Sequence, residues 1–181
     1  MRMRQFLNEL AQAVPNAVKV NRGRSSLDEL ALKALKYGAR YVVLFTDFHG
    51  NPSSMRFFKV GEGGLTKIPY IATLSGVKLL IDMFTGRPNL PKPRDMAIVS
   101  YLRGSPEFID LLAEVFNADT YQGGDLGYYR LYDTVMLIKP SRGLCCEIGF
   151  IHGPTQAPRG PILRVRSFKA LDLLKKATRG G

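Results

Sequence analysis

This chain of 181 residues has little cysteine and no long hydrophobic run. Its two cysteines, Cys145 and Cys146, are adjacent. Neighbouring side chains in a strand point to opposite faces, which argues against a disulfide or a metal site there. Because no run of about eighteen apolar residues occurs, no transmembrane span is expected. Charges at Arg2, Arg4 and Glu9 interrupt the stretch where a secretory signal has its apolar core, so a cytoplasmic location is predicted.

The sequence also has few residues that could carry catalysis. His49 and His152 are far apart, and neither has a second ligand at the helical spacing that metal sites use. The glycine-rich stretch 123–127 precedes a predicted strand, so it cannot direct a helix N-terminus at a phosphate. We therefore predict no catalytic residue, no metal site and no cofactor. The alternative is a doubly wound α/β enzyme for a phosphorylated small molecule, because scattered carboxylates could still meet in space: Asp47, Asp82 and Asp119.

Acidic residues are scarce at the two ends of the chain. The protein has 26 basic and 15 acidic residues, a net charge of +11. Residues 1–24 contain five basic residues and one acid, residues 139–181 contain nine and two, and residues 25–138 are balanced. We predict that both ends fold onto one face and form a nucleic-acid footprint. The alternative is a protein-binding scaffold that uses its basic ends on acidic partners.

The first segment combines an apolar helical face with cationic residues. Phe6, Leu7, Leu10 and Val14 recur at three- and four-residue steps, which predicts a helix that Pro15 ends. A short strand over residues 16–20 and a basic loop over residues 21–24 are expected to follow. Because arginine and lysine bind phosphates and release counterions, RNA is the predicted partner.

The predicted RNA-binding residues come from both basic ends and one central loop. Arg22 and Arg24 stand just before a predicted helix N-terminus, where free N–H groups favour an anion, and Arg103 occupies the equivalent place later in the chain. Three tyrosines, Tyr128, Tyr129 and Tyr132, either stack on bases or pack in the fold. The full predicted set is Arg2, Arg4, Lys19, Arg22, Arg24, Arg103, Arg159, Arg164, Arg166 and Lys169.

The first half of the chain alternates helical and strand patterns. Ser26 with Glu29 predicts a capping box at the start of a second helix, whose buried face includes Leu27 and Leu35 and which Gly38 ends. Residues 41–47 form a continuous apolar run and predict a buried strand. Further strands are predicted over residues 55–60 and 68–77. Residues 85–94 contain three prolines and predict an extended linker.

The second half repeats the order of elements. Val99-x-Tyr101-Leu-Arg103-Gly104 resembles Val18-x-Val20-Asn-Arg22-Gly23, and each precedes a predicted helix, the later one capped by Ser105 with Pro106 in its first turn. Strands are expected over residues 128–138, 144–151 and 162–165, with a terminal helix beginning at Ser167. The pattern predicts an α/β domain of residues 1–181. Its two similar halves, approximately 1–84 and 95–181, are each a mixed sheet with packed helices.

Several local motifs carry a family resemblance. Arg-x-Arg-x-Phe-Leu-x-Glu-Leu from Arg2, then Pro15-Asn16-Ala17 and Asn21-Arg22-Gly23, are similar to the Brix-domain family of ribosome-biogenesis proteins. The likeness is greatest to the branch that processes pre-ribosomal RNA with the U3 small nucleolar ribonucleoprotein, in its short archaeal-type form. It is specific up to about Met55, although the family more often has Arg-Gly-x-Pro where this chain has His49 to Pro52. Residues 127–132 resemble a later family pattern.

The resemblance has implications for fold and function. It implies two related halves, each like an anticodon-binding domain. It also implies a non-catalytic factor in ribosomal RNA processing and pre-ribosome assembly. The implied partners are ribosomal RNA or the pre-ribosomal particle, with other assembly proteins, and no membrane.

Overall fold

The computed structural model describes residues 2–84, 89–124 and 126–171. Within these residues the chain forms one eight-stranded sheet with the order β1-β2-β3-β8-β7-β6-β4-β5. The pairs β4–β5 and β4–β6 are parallel, and the other neighbouring pairs are antiparallel. The strands are β1 (Tyr41–Phe48), β2 (Asn51–Gly61), β3 (Gly64–Lys78), β4 (Met96–Ser100), β5 (Asp119–Gln122), β6 (Thr134–Lys139), β7 (Cys146–His152) and β8 (Ile162–Ala170).

Four α-helices and a 3₁₀ helix accompany the sheet in the described part of the chain. They are α1 (Arg2–Ala13), α2 (Leu27–Lys36), α3 (Leu80–Met83), α4 (Pro106–Phe116) and the 3₁₀ helix Leu126–Leu131. None of the helices among the described residues has the length and hydrophobicity of a membrane-crossing helix. The predicted α/β class with a mixed sheet and packed helices is confirmed.

The main core lies between one side of the sheet and helices α1 and α4. Phe6 of α1 and Phe108 of α4 are fully buried in the same cluster as Val165 of β8. Phe108 also stacks on Phe168, with ring centroids 4.4 Å apart. Because side chains alternate along a strand, the neighbours of these core residues point to the opposite side of the sheet. We call the side that faces α1 and α4 the helix side, and the other the open side, where the 3₁₀ helix covers a smaller buried cluster of Val99, Tyr129 and Val135.

Helix α2 begins as its sequence predicts. The Ser26 hydroxyl accepts the Glu29 backbone N–H at 3.2 Å, and the Glu29 carboxylate accepts the Ser26 backbone N–H at 3.2 Å. The capping box is therefore confirmed, and Gly38, with φ of 66°, follows the last turn as predicted. The predicted buried face of Leu27, Leu30, Ala31, Ala34 and Leu35 is confirmed in part. Leu30, Ala31 and Ala34 are buried, whereas Leu27 and Leu35 are 41% and 46% exposed.

Three of the predicted strands differ in the structure. Residues 17–20 form no strand, because they form no ladder with a neighbouring strand, and Val18 is exposed. Strand β1 is half-buried, since it lies at the edge of the sheet and not at its centre. The predicted strand over residues 128–138 is a 3₁₀ helix followed by the shorter β6.

The predicted terminal helix is wrong over the residues that the structure describes. Ser167 and Phe168 belong to strand β8, and Thr73 of β3 pairs with Ser167. A bulge follows, because the next β3 residue, Leu74, pairs with Val165. This extra residue puts Val165 and Phe168 on the same side of the sheet. The remaining residues of the predicted helix, 172–181, lie outside the described residues.

The two predicted halves share one sheet. Strand β3 comes before residues 85–94 and β8 comes after them, and the two pair antiparallel over eight residue pairs from Tyr70↔Ala170 to Lys78↔Ile162. Residues 89–94 have no regular secondary structure, and residues 85–88 lie outside the described part. The assignment of the chain to two halves joined by a linker stays a prediction.

Candidate nucleic-acid interface

The strands at the centre of the sheet are strongly basic. Strands β2, β3, β6, β7 and β8 together contain eight basic residues, and Glu147 is their only acid. The sequence of each strand gives the count but not the side on which each charge lies. The pairing register supplies that information, because directly opposed residues point to the same side.

The register places four of these cations on the open side. Arg164 alternates with Leu163 and Val165 of the main core, so it points away from the helices. Lys169 pairs with Ile71, which pairs with Arg56. Lys139 pairs with Glu147, which pairs with Arg164. We call this surface the basic face: Arg56, Lys139, Arg164 and Lys169, with Arg166 exposed at the β8 bulge.

Only a part of the positive charge on the basic face is neutralised. Arg164 Nε lies 3.6 Å from Glu147 Oε1, and both side chains are well exposed. An exposed pair of this kind contributes little to stability and leaves the guanidinium accessible. The Lys139 ammonium lies 6.0 Å from the centre of the Tyr101 ring, at the limit of a cation–π contact. The basic face therefore presents a net positive surface to solvent.

Six predicted RNA-binding residues are exposed, without an ion pair among the described residues. The Arg22 Nε donates to the Ser25 backbone carbonyl at 3.1 Å, which orients this loop residue beside the α2 N-terminus. The other five side chains make no hydrogen bond or ion pair with any residue that the structure describes: Arg4, Arg24, Arg103, Arg166 and Lys169.

The structure does not gather all of these residues on one face. Arg4 belongs to α1, and α1 packs on the helix side through Phe6 and Leu10. Arg164 and Lys169 lie on the open side. Arg4 therefore does not share a surface with Arg164 and Lys169, contrary to the prediction that the two basic ends form one face. Arg22 and Arg24 lie in the exposed loop before α2, and Arg103 lies in the loop between β4 and α4.

Two predicted residues act as anchors of α1 and its following segment. Arg2 forms an ion pair of 2.6 Å with Asp82 and donates to the Val77 carbonyl at 2.9 Å. The hydrogen bond from Arg2, followed by one from the Leu79 backbone, lowers the pKa of Asp82. The Lys19 ammonium donates to the Asn8 side chain at 2.7 Å. Both cations are half-buried and already engaged, so they are weaker candidates for RNA contact.

Arg159 does not belong to the candidate surface. Only 5% of the residue is exposed. Its guanidinium donates to the Asp133 backbone carbonyl at 2.8 Å and to the Pro91 carbonyl. Burial is the main cause that lowers the pKa of Arg159. This correction has a simple reason: the sequence shows a basic residue in a loop, but not that two backbone carbonyls converge on it.

The predicted tyrosines divide between packing and exposure. Tyr129 is 3% exposed, and its hydroxyl bonds that of Tyr101 at 2.7 Å. Tyr132 bonds Tyr121 at 2.6 Å and donates to Asp119 at 2.6 Å. Burial is the largest cause that raises the pKa of both Tyr129 and Tyr132. Tyr128 is 43% exposed and stacks on Tyr121 at 4.6 Å, so of the three it is the one with a ring face available to solvent.

Sequence reasoning missed two members of the basic face. Arg56 lies in residues 25–138, whose charges cancel overall, whereas Lys139 is the first residue of the basic C-terminal region. The signal for Arg56 was the local absence of acids in β2 and β3. A sum over residues 25–138 conceals that absence, because most acids of that region lie in helices and loops.

Comparisons with known proteins identify the family. No family model matches the chain. A probable Brix domain-containing ribosomal biogenesis protein of Sulfurisphaera tokodaii is 31% identical over 131 residues, 69% of each chain. A protein of the same description from Pyrobaculum aerophilum is 26% identical over 162 residues, 90% of this chain and 85% of the relative.

Solved structures agree with this assignment. The crystal structure of a probable ribosomal biogenesis protein from Aeropyrum pernix K1 has a TM-score of 0.75 and 25% identity, and the match covers 92% of this chain and 89% of that one. The structure of Mil, an archaeal Imp4-like protein, has the same fold, with a TM-score of 0.60, 18% identity and coverage of 94% and 93%. With the sequence relatives, the shared fold leads to one conclusion: this chain belongs to the Brix domain-containing ribosomal biogenesis proteins.

Proposed function

We propose that this protein is a non-catalytic RNA-binding factor that acts in ribosomal RNA processing and pre-ribosome assembly. Its partner is ribosomal RNA or the pre-ribosomal particle, and the basic face is its principal contact. The observation that carries the proposal is the excess of positive charge in the central strands, which contain eight basic residues and one acid, Glu147. The ribosomal context comes from the names of its relatives.

The form of the basic face supports a polyanion as the ligand. Its cations lie on β2, β8 and β6, which span five neighbouring strands of the sheet, and strands lie about 4.8 Å apart, so the surface extends across roughly 20 Å. Enzymes that act on small molecules instead enclose the substrate in a concave pocket with a few convergent polar groups. A broad, open and positive surface suits a chain of phosphates, whose bound counterions are released when lysine and arginine take their place.

Salt titration of RNA binding tests the proposal. The variant R164Q/R166Q/K169Q removes three exposed cations of the basic face. Because each lost phosphate contact to single-stranded RNA reduces the slope of log K against log salt by about 0.7, we expect a decrease of up to about 2. Fluorescence anisotropy with a fragment of ribosomal RNA, from low to physiological salt, measures the slope.

The matched control removes the same charge elsewhere. Lys36, Arg40 and Lys59 are exposed cations near the C-terminal end of α2 and the start of β1. The variant K36Q/R40Q/K59Q should keep a slope close to that of the wild type. Equal losses in the two variants would reduce the effect to net charge and remove the basic face as the contact. A wild-type protein that binds no RNA at all would contradict the proposed function itself.

The loop before α2 is proposed as a second contact. Arg22 and Arg24 are exposed, and Arg22 is oriented by the Ser25 carbonyl beside the free N–H groups of the α2 N-terminus. In the same titration, R22A/R24A should reduce the slope by about 1 to 1.5 and weaken different RNA sequences alike. An unchanged slope would exclude this loop from the interface, and a loss confined to one RNA would indicate base or shape readout.

A further inference from the structure

We infer that Arg56, Lys169 and a row of hydroxyl groups beside them form a phosphate-binding site for the RNA backbone on the basic face. The inference rests on the proposed RNA-binding function and names the atoms that would contact the backbone. It also adds Arg56 and four neutral side chains that no charge pattern in the sequence selects.

The hydroxyl row follows directly from the register of four neighbouring strands. One side chain from each of β1, β2, β3 and β8 is directly opposed to the next, and all four lie on the open side: Thr46, Ser54, Thr73 and Ser167. The Thr46 and Ser54 hydroxyls are 2.5 Å apart, and so are those of Thr73 and Ser167. The chain thus presents an unbroken line of hydroxyl groups across four strands.

One of these pairs has a hydrogen to donate. Two hydroxyl groups carry two hydrogens, and the bond between Thr73 and Ser167 uses one of them. Neither side chain has another hydrogen-bond partner among the described residues. The remaining hydroxyl hydrogen lies on the open side and can be donated to a phosphate oxygen. Two apolar side chains at these positions would have no hydrogen to donate.

Arg56 supplies the charge. It follows Ser54 of the hydroxyl row by two residues along β2, or about 7 Å, and therefore lies on the same side of the sheet. Its side chain makes no hydrogen bond or ion pair with any described residue, and its Nε is buried without a partner. Leu44 and Ile71 are directly opposed to it on the two neighbouring strands, and the residue is partly buried.

An uncompensated guanidinium between two apolar side chains is unfavourable in the free protein. Partial burial weakens its hydration, and no carboxylate restores the loss. A phosphodiester would do so, since a guanidinium donates two parallel hydrogen bonds to phosphate oxygens. Arg56 is therefore better explained by a bound anion than by its contribution to folding.

The surroundings favour the backbone of RNA over a small isolated anion. Lys169 lies in the row of Arg56, two strands or about 10 Å away. Arg164 lies beyond the hydroxyl row along β8, on the other side of Ser167. The row of neutral donors is thus bordered by cations on both sides, an arrangement that accommodates successive phosphates better than one.

Three variants test the site, with single-stranded ribosomal RNA as the probe. R56M should bind about 10- to 100-fold more weakly and reduce the salt slope by about 0.7, because one phosphate contact is lost. T73V/S167A should bind about 3- to 10-fold more weakly with the slope unchanged, because a neutral donor releases no counterion. The control K59M removes a cation from β2 on the helix side and should bind like the wild type.

A stability measurement separates ligand binding from folding. Since Arg56 has no hydrogen-bond or ion-pair partner among the described residues, R56M should keep or raise the melting temperature. If R56M fails to fold, R56K is the second variant, because lysine keeps the positive charge but cannot donate two parallel hydrogen bonds. R56K should fold and bind RNA more weakly, with the slope of log K against log salt unchanged. The phosphate-binding site would be overturned if R56M and T73V/S167A bound RNA like the wild type while R164Q/R166Q/K169Q bound it more weakly. That result would leave the proposed function in place. Absence of RNA binding by the wild type would overturn both.

Discussion

Replacement of Gly153 by alanine should prevent this protein from folding or destabilise it by more than about 4 kcal/mol. Gly153 is buried just after β7, and a Cβ atom there would lie 2.0 Å from the backbone oxygens of both Tyr129 and Tyr132. Backbone oxygens cannot yield as the tip of a flexible side chain can. The 3₁₀ helix Leu126–Leu131 and the tyrosines that it supports would have to move.

The control for this substitution is Gly104→Ala. Gly104 is exposed, and a Cβ atom there meets nothing within 4 Å. Its free energy of unfolding should change by less than about 0.5 kcal/mol. Urea unfolding followed by circular dichroism, together with the soluble yield, compares the two variants. A Gly153→Ala protein as stable as the wild type would mean that the 3₁₀ helix does not pack against residue 153 in this way.

Arg159→Met should cost about 2–4 kcal/mol of stability and leave the salt dependence of RNA binding unchanged. The Arg159 guanidinium donates to the carbonyls of Pro91 and Asp133, so it joins the segment before β4 to the segment before β6. Each hydrogen bond from a charged group contributes about 1.5–3 kcal/mol, and the carbonyls left behind would lose a buried donor. Methionine keeps much of the apolar stem, so the effect reports mainly on the lost hydrogen bonds.

Arg164→Met is the opposite case and serves as the control. Arg164 is exposed, and among the described residues its side chain forms an ion pair with exposed Glu147 alone. Its replacement should therefore change stability by less than about 1 kcal/mol while reducing the salt slope. Thermal unfolding and RNA titration of both variants therefore distinguish a structural arginine from a binding one. A reduced slope in Arg159→Met, without loss of stability, would return Arg159 to the interface.

Local patterns predicted those elements whose stability depends on nearby residues. The Ser26 capping box involves only residues 26–29, so the sequence contains all of its partners. Strands β2 and β3 have apolar β-branched and aromatic residues and a glycine-containing connection, which sufficed to locate them. The family resemblance, carried by short motifs before Met55, was likewise local, and the relatives confirm it.

Patterns that need a distant partner were misinterpreted. Residues 17–20 have strand-like composition but no ladder with a neighbouring strand. Residues 167–170 were predicted as the start of a helix, but they belong to β8 and pair with β3, a strand about ninety residues earlier in the chain. Arg159 looked like a surface cation because its two carbonyl partners, at positions 91 and 133, are not close in sequence.

Composition, short-range periodicity and contiguous motifs were therefore enough to predict the class of the fold, the excess of positive charge and the family. They do not show which cations share a surface, because that depends on which strands pair and in what register. Arg56 and Lys169 are more than a hundred residues apart, yet Ile71 alone separates them in one row of the sheet. A sum of charges along the chain does not show that the two residues are close in space, whereas the hydrogen-bonded pairing of the strands fixes the distance between them.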